Sequence, residues 1–518
     1  MRAVSPSEMA IFDENCEYLG VCRLILMENA GRAVAAEAAN LLGGSVEGRQ
    51  VVVFSGVGNN GGDGFVAARH LAGMGAKVHV ILLGRAKDIR TDEARVNWKI
   101  LENMRMSVKL SQVRSVDELL AIRDEIVRAD LVIDAIFGTG LHGKIREPYA
   151  TAIDLINEVK GPKIAVDLPS GLDPETGLVH HKAVRADLTV SMHAAKPGLL
   201  VADAEKYVGR LVVAGIGMPP EAELVVGPGD VRAVVRRRKP YARKGEHGRV
   251  LVVGGCDEYS GAPALTALAS LRMGADLAIV AAPESVADAI RSYSPNLIVR
   301  RLEGRRLSRR NLPKLRELLQ YCHSVAIGPG LGLAEETASA VSEFLTIAVG
   351  EKPVVVDADA IKALAKHPVE LSRGKVVITP HAGEFRILTG IELAPPEKLR
   401  ERIGQVSASA EKLGVVILLK SHEDIISDGK RYKVNWTGNP GMTVGGTGDV
   451  LTGIVATLLA WGVEPFRAGC AAAYVNGAAG DLAVKELGYH ITATDVLEKI
   501  PEVMREFEEP TLGLLKTG

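Results

Sequence analysis

Aromatic side chains are scarce, at 4% of 518 residues. Too few are present for base-stacking platforms, which argues against a nucleic-acid binder. The five cysteines, Cys16, Cys22, Cys256, Cys322 and Cys470, are scattered and form no C-x-x-C pair. That excludes a disulfide frame and a structural zinc site and fits a reducing compartment. Neither sign of charge is in excess: the formal net charge is −1, so nothing attracts a polyanion or an anionic membrane. Apolar tracts break at Gly, Asp or Lys well before the roughly 20 residues of a membrane span. The opening MRAVSPSEMAIFDENCEYLG has no basic segment followed by an apolar one, so no signal peptide is expected. A soluble, cytoplasmic protein is expected. No G-x-x-x-x-G-K-S/T stretch and no internal repeat is present.

What is present is an ordinary globular balance, 47% hydrophobic and 24% charged. At about 100–200 residues per domain the length suggests two to four domains. Short β-branched runs alternate with Ala/Leu-rich helical stretches. The strand candidates are RQVVVFSG, AKVHVILLG, ADLVIDAIFG, KIAVDLPSG and ADLTVSMHA, then RVLVVGG, ADLAIVAAP, SVAIGPG, KPVVVDAD, KVVITPH and VVILLKS. Nearly continuous apolar strands separated by helices predict parallel sheets covered on both faces, an α/β fold. The series breaks at the basic, Pro-containing RRRKPYARKGEHGR. We expect a first domain over residues 1–218, a solvated linker region over 219–245 and a second domain over 226–518. Contact of some of these basic residues with a ligand's phosphates remains the alternative for that run.

In the first half, GVGNNGGDGFVAARHL (residues 56–71) follows a strand and opens a helix. Gly56, Gly58 and Gly61 match the dinucleotide fingerprint, and Arg85 after the next strand could meet a 2′-phosphate. Asn59, Asn60 and the prolonged Gly62-Asp63-Gly64 loop add polar groups for a ligand or a cation. Asp134 and Asp167 end predicted strands, Ser170 follows, and ligands of open α/β sheets bind beyond the carboxyl ends of strands. The oxygen-only set of Asn60, Asp134 and Ser170 suits a hard cation.

SPSEM, LMENAGRAVA, GNNGGDG, DAIFGTGL and VDLPSGLDPETG together resemble the NAD(P)H-hydrate epimerase family over about residues 5–217. The resemblance implies a Rossmann-like three-layer domain with a potassium ion on Asn60, Asp134 and Ser170. It implies that Asn59, Asn60, Gly61, Gly62, Asp63, Gly138, Thr139, Gly140, Leu141, His142, Gly143, Lys144, Tyr149 and Asp167 contact the hydrated nucleotide. Asp167 is then the candidate general acid/base.

In the second half, GNPGMTVGGTGDVLTG (residues 438–453) holds six glycines, one acid and a helix entry. The N–H groups of Gly445, Gly446, Thr447 and Gly448 predict an anion site, and Asp449 beside it is placed to take a proton from an attacking hydroxyl. This G-x-G-D pattern resembles the ribokinase-like superfamily. His381-x-x-Glu384 stands where many of its kinases carry Asn-x-x-Glu, and Asn296 stands where an acid is common. Lys420 is a candidate partner for nucleotide phosphates, and Asp428-Gly429 predicts a hairpin turn.

KGEHGRVLVVGG, YSGAPALTALASLRMGADLA, GPGLG, VVDADA, TPHAGE and NPGMTVGGTGDVLTG together resemble ADP/ATP-dependent NAD(P)H-hydrate dehydratase over about residues 226–508. The resemblance implies substrate contacts at Ala264, Gly332, His381 and Asp449. It implies nucleotide contacts at Lys420, Ser421, His422, Glu423 and Asp424, and at Asn439, Pro440, Gly441, Met442, Thr443, Val444, Gly445, Gly446, Thr447 and Gly448. The expected activity is repair of the hydrates NADHX and NADPHX: epimerisation in the first domain, then dehydration of the S epimer with Mg2+ and ADP or ATP, releasing AMP or ADP and phosphate. ADP is favoured by the fusion of the two halves, and a homo-oligomer is expected. The rival reading is a ribokinase-like small-molecule kinase fused to a non-catalytic Rossmann module, distinguished by phosphate retained on a stable product.

Overall fold

The computed structural model describes residues 2–140 and 143–508. The chain divides into two compact units, Met1–Pro220 and Glu221–Gly518. Each has its own sheet.

The first unit carries β1 (Gln50–Ser55), β2 (Lys77–Leu83), β3 (Val108–Val113), β4 (Leu131–Ala135), β5 (Lys163–Val166), β6 (Leu188–Met192) and β7 (Arg210–Ala214). Their order is β3-β2-β1-β4-β5-β6-β7, with every pairing parallel. Strand order reverses between β1 and β4, so the loops leaving these two strands part and open a crevice at the carboxyl edge of the sheet. Helices cover the sheet. The first, Pro6–Tyr18, starts at a capping box in which Ser5 Oγ accepts from Glu8 N–H (3.2 Å) and Glu8 accepts from Ser5 N–H (3.1 Å).

The second unit carries β8 (Arg249–Val253), β9 (Leu277–Pro283), β10 (Ile298–Leu302), β11 (Ser324–Ile327), β12 (Val354–Val356), β13 (Val376–Ile378), β14 (Val416–Leu419), β15 (Asp424–Ser427) and β16 (Tyr432–Asn435). The order is β10-β9-β8-β11-β12-β13-β14-β15-β16. Pairings are parallel up to β14 and antiparallel for β14–β15 and β15–β16. Here the order reverses between β8 and β11. Two apolar cores, one on each face, contain alternate residues of the same strands: Val250 and Val252 on one side, Leu251 and Val253 on the other.

The expected strands all form. Five further strands, β3, β7, β10, β15 and β16, were not among the candidates. The first part of the segment expected as a linker holds helices Glu221–Leu224 and Pro228–Arg232, with Val226 and Val231 buried, whereas no helix or strand forms over residues 233–245. Val225 bridges to Val434 in parallel, and Val226 N–H donates to Val434 O (2.9 Å). This segment therefore meets β16, the outer strand of its sheet, at one bridge. Among the described residues no helix is long and apolar enough to cross a membrane.

Candidate active sites

The first unit's crevice is a pocket of about 500 Å³. The loops after β1 and β4 form two of its walls, and Asn59, Asn60, Asp63, Gly138, Thr139, Gly140, Tyr149 and Asp167 line it together. The helix following β1 begins earlier than the sequence suggests, at Asn59, and runs to Gly73. Residues 62–64 are thus helical and not an extended loop. Its first turn has no side-chain cap, so its leading N–H groups remain available to an anion. Gly61 and Gly62, expected to touch the ligand, do not line the pocket. A Cβ on Gly61 would stand 2.0 Å from Gly56 O, and one on Gly62 would stand 2.5 Å from Met27 Cε. These glycines serve close packing of the turn against β1 and its neighbours. Lys144 lines an adjoining cleft with Arg146, His181 and Tyr149; Gly143 is exposed. Leu141 and His142 lie outside the described residues.

Asp167 directly follows β5 and has φ +64°, a left-handed backbone rarely adopted by side-chain-bearing residues. Its carboxylate accepts from Met192 N–H (3.1 Å) and from the ammonium of Lys196. Lys196 is 2% exposed and also donates to Met192 O (3.1 Å). Burial pushes the carboxyl pKa of Asp63 well up, and the charges of Asp167 and Asp13 add to it. Burial also raises Asp13, against the opposing charges of Arg23 and Lys196. Tyr149 opens the helix Tyr149–Glu158, donates to Leu83 O (3.2 Å), and its ring lies 4.9 Å from that of Phe137.

Below the pocket floor Asp134 and Ser170 are fully buried. Ser170 donates to Asp134 through its hydroxyl (2.6 Å) and its N–H (2.7 Å), and Ile136 N–H adds a third bond (3.2 Å). Burial still outweighs these donors and lifts Asp134 to about 6. Asn60 Nδ2 is buried with no hydrogen-bond partner among the described residues.

In the second unit the glycine turn sits where it was expected, but its glycines divide their tasks. The helix Thr447–Ala460 starts behind Gly446, at φ +99°, with no side-chain cap. Gly445 faces open space. Gly453 lets two helices touch: a Cβ there would stand 2.2 Å from Thr266 O, and Ser270 Oγ donates to Gly453 O (3.1 Å). Gly441 is buried against Val484. Asn439 accepts from Gly441 N–H (2.9 Å) and donates to Asp481 (2.8 Å). Thr443 and Thr447 hydroxyls donate to Pro440 O (2.7 Å) and Met442 O (3.0 Å). The turn is held rigid from within; Pro440 and Val444 are parts of the same turn.

Asp449 lies in the first turn of that helix. Burial, reinforced by the negative charge of Asp357 and opposed by Lys420, lifts it to about 7. Lys420 Nζ would meet a Cβ on Gly448 at 3.1 Å, so the ammonium lies directly against the turn. Burial alone would ease the proton off Lys420, but the charges of Asp357 and Glu384 more than reverse this and raise its pKa.

His381 caps the helix Ala382–Thr389, accepting from Gly383 N–H (3.0 Å) and Glu384 N–H (3.3 Å), with its ring otherwise exposed. It pairs with Lys420 in an isolated parallel bridge. Gly332 N–H donates to Asp359 (2.9 Å). Ala264 is buried at 3% exposure in the helix Gly261–Met273; it is its neighbour Leu265 that packs against Gly446. Ser421 and Asp424 serve the hairpin: Ser421 N–H donates to Asp424 (3.0 Å), as does Asn435 (3.1 Å), and burial lifts Asp424 to about 6. His422 is exposed and Glu423 half-buried.

Sequence reasoning missed Asp13 and Lys196 in the first pocket, and Asp357, Asp359 and Asp481 in the second site. Asp357 carries the same signal as Asp134 and Asp167, an acid closing a β-branched strand. Asp13 sits on a helix with no motif around it, and no pattern announces it.

Residues 250–502 match the family described as NAD(P)H-hydrate dehydratase, and residues 23–198 match the one described as YjeF-related protein N-terminus. The bifunctional NAD(P)H-hydrate repair enzyme of Pyrobaculum aerophilum is 52% identical over 508 residues, covering 98% of this chain and 99% of its own. The protein of that name from Hyperthermus butylicus is 47% identical over 506 residues, covering 97% and 92%. The solved ADP/ATP-dependent NAD(P)H-hydrate dehydratase of Bacillus subtilis is 31% identical, covering 54% of this chain and 96% of that one, with a TM-score of 0.47. With both segments matched, and identity sustained along nearly the whole of each relative, the chain belongs to the family of bifunctional NAD(P)H-hydrate repair enzymes.

Proposed function

We propose that this chain restores hydrated NADH and NADPH in two steps, one in each unit. Hydration of the dihydronicotinamide ring leaves a hydroxyl on a carbon beside the ring nitrogen. A base that removes the hydroxyl proton lets the C–N bond open, with the nitrogen taking up a proton. Reclosure on the other face gives the second epimer. Asp167 is the base in this reading: its carboxylate takes the hydroxyl proton and passes it to the ring nitrogen, while the Lys196 ammonium at its side holds the carboxylate in place. The strained backbone of Asp167 inside a pocket supports a catalytic role, because such strain persists where the surroundings over-determine it.

Beneath this site the oxygen donors Asn60, Asp134 and Ser170 fit a potassium ion. Two of them are in contact, one is a buried carboxyl, and the buried amide of Asn60 carries an oxygen and has an unmet hydrogen-bonding group among the described residues. Asn60, Asp134 and Ser170 would hold the cation, whose positive charge would favour the ionised form of Asp134.

In the second unit Asp449 takes the proton from the hydroxyl of the S hydrate, whose oxygen attacks the terminal phosphorus of a nucleotide. The bond to the leaving nucleotide breaks, and the hydrate becomes a phosphate ester. The ring nitrogen's lone pair then expels phosphate, and loss of a proton from the adjacent carbon restores the double bond. Hydroxide would be a poor leaving group where phosphate is a good one. The uncapped helix N-terminus and Lys420 offer the positive charge that phosphoryl oxygens need. Mg2+ accompanies the nucleotide, for which ADP is our preferred choice; the substrates belong to the cell's own cofactor pool, which supports a cytoplasmic setting. The observation that carries the reading is Asp449, lifted to about 7 beside an uncapped glycine turn.

The test supplies mixed R and S hydrates with Mg2+ and either ADP or ATP and follows dihydronicotinamide absorbance and free phosphate together. Recovery of both epimers with one phosphate released per turnover is expected. Phosphate retained on a stable product would instead establish a small-molecule kinase.

A further inference from the structure

Beneath the glycine turn one carboxylate ties three elements together. Asp357 directly follows β12 and is 1% exposed. Its N–H donates to Ile327 O at the end of β11 (3.0 Å). Its carbonyl lies so close to Gly328 that a Cβ there would meet it at 1.7 Å. The backbone of Asp357 therefore has no freedom to drift. One carboxylate oxygen accepts from Lys420 Nζ (2.8 Å), which directly follows β14. The other accepts from Thr452 Oγ1 (2.8 Å). Thr452 lies three residues beyond Asp449 on the same helix, on the same face.

We propose that Asp357 is a positioning residue for phosphoryl transfer, its two oxygens locking the Lys420 ammonium under the Gly448 turn and docking the Asp449-bearing helix through Thr452. This rests on the reading of Asp449 and the glycine turn given above. Ammonium, anion-binding N–H groups and base then stand preassembled, with no reorganisation left for the moment of reaction.

A purely structural tie would hold the sheet together and do nothing more. Asp357 also acts through its charge. The ionisable groups that face Asp449 are Asp357 after β12, Lys420 after β14, Asp359 from the helix Asp359–Lys366, and Glu384 from the helix Ala382–Thr389. Asp357 favours the proton on Asp449 and Lys420 opposes it. Removing the Asp357 charge lets Asp449 give up its proton more readily and leaves Lys420 unneutralised. Both changes act in the same direction, so the base ionises at lower pH and becomes weaker.

The experiment uses the full chain, with kcat/KM for the S hydrate followed from about pH 5 to about pH 9 at saturating ADP. In Asp357→Asn the acid limb should move down by about one pH unit, with the nucleotide KM up about tenfold. Epimerisation, carried by the other unit, should stay at the parental rate, and a parental unfolding transition of the second unit reports that the unit holding Asp357 has folded. An acid limb at the parental pH overturns the proposal. Should Asp357→Asn lose the unfolding transition of the second unit or prove insoluble, Asp357→Glu decides. It keeps the charge but displaces the ammonium, so the limb should stay while the nucleotide KM rises about tenfold; a parental KM overturns the proposal. Asp449→Asn, run alongside, separates the two levels. Turnover in that variant sinks the function proposed for the site, whereas an inactive Asp449→Asn with an unmoved limb in Asp357→Asn sinks only the role of Asp357.

Discussion

Lys196 closes its ammonium onto the carboxylate of Asp167 inside the first pocket, the lysine 2% exposed and the aspartate held at φ +64°. Each needs the other: a buried charge left alone is destabilising by about 3–5 kcal/mol. Lys196→Met should therefore lower the unfolding temperature of the first unit and abolish epimerisation. Asp167→Asn should keep most hydrogen bonds and still lose at least about 100-fold in epimerisation. Dehydration of pure S hydrate should be unaffected in both. Calorimetry and epimer-resolved chromatography check these outcomes, and an active Asp167→Asn refutes the assignment of the base.

Asp449, lifted to about 7, sets a pH profile. The ionised form is the working base, so kcat/KM for dehydration should rise tenfold per pH unit below about 7 and level off above it. Asp449→Asn should remove dehydration and leave epimerisation intact. The same residue carries a stability signature. Its folded pKa lies above the ordinary aspartate value of 3.8, so its contribution is full below about 4 and is lost as pH rises through about 7. At pH 8 the Asn variant should unfold at higher denaturant than the parent, by at most about 4 kcal/mol. A flat profile, or an Asn variant less stable at pH 8, would contradict this environment for Asp449.

Potassium dependence is tested most sharply by Asp134→Asn. Asp134→Ala would strand the N–H groups of Ser170 and Ile136, at about 1–3 kcal/mol for each unsatisfied donor, and confound binding with folding. The Asn variant keeps acceptors and shape and loses only the charge. Its epimerisation should fall and cease to respond to added potassium, while the parent's rises with it. A variant that still titrates with potassium like the parent would remove Asp134 from the cation site.

Gly61→Ala tests packing without touching any ionisable group. The added methyl would lie 2.0 Å from Gly56 O, and the backbone on both sides must shift. Overpacking of this kind costs about 1–3 kcal/mol. Epimerisation should fall through displacement of Asn60, the neighbouring residue, with dehydration unchanged. A parental melting profile would mean that this turn yields without cost.

The sites were legible in the sequence wherever chemistry required an unusual residue in an unusual place. GNNGGDG, the acids at the ends of β4 and β5, and the G-x-G-D turn all stand out from any core or surface pattern. The roles of individual glycines were not legible, because a glycine that admits a ligand and one that admits a neighbouring backbone look alike. Gly445 and Gly453 make the point: one faces open space and the other a helix. Among strands, every one missed except β15 is an outer one, β3 and β7 in one sheet and β10 and β16 in the other. Edge strands are half solvated and carry Lys, Arg, Ser or Gln, as in VKLSQV and IVRRL, so they lack the continuous apolar run that marks a central parallel strand. Lys196 went unseen because a buried lysine is recognisable only by its partner.

Division of labour follows from two separate sheets and cores. Residues 1–220 made alone should epimerise the hydrates without nucleotide. Residues 221–518 made alone should dehydrate the S epimer promptly and the R epimer only as fast as it epimerises spontaneously. Dihydronicotinamide recovery from each pure epimer with each fragment checks this. Equal rates on both epimers from the second fragment would leave the first unit without its assigned task.

Where such a cut is made matters for a reason unrelated to catalysis. The stretch around Val225 and Val226 lies against β16, and it belongs to the polypeptide before the basic run that composition alone would choose as the place to cut. A gene trimmed at the basic run would express a protein that has lost the Val226–Val434 backbone bond on the outer edge of β16, leaving that edge open for neighbouring molecules to add onto. Such a product should collect in inclusion bodies, while one trimmed fifteen or so codons earlier stays in the supernatant. Loss of the short segment would then be read at the bench as poor expression rather than as a missing catalytic part.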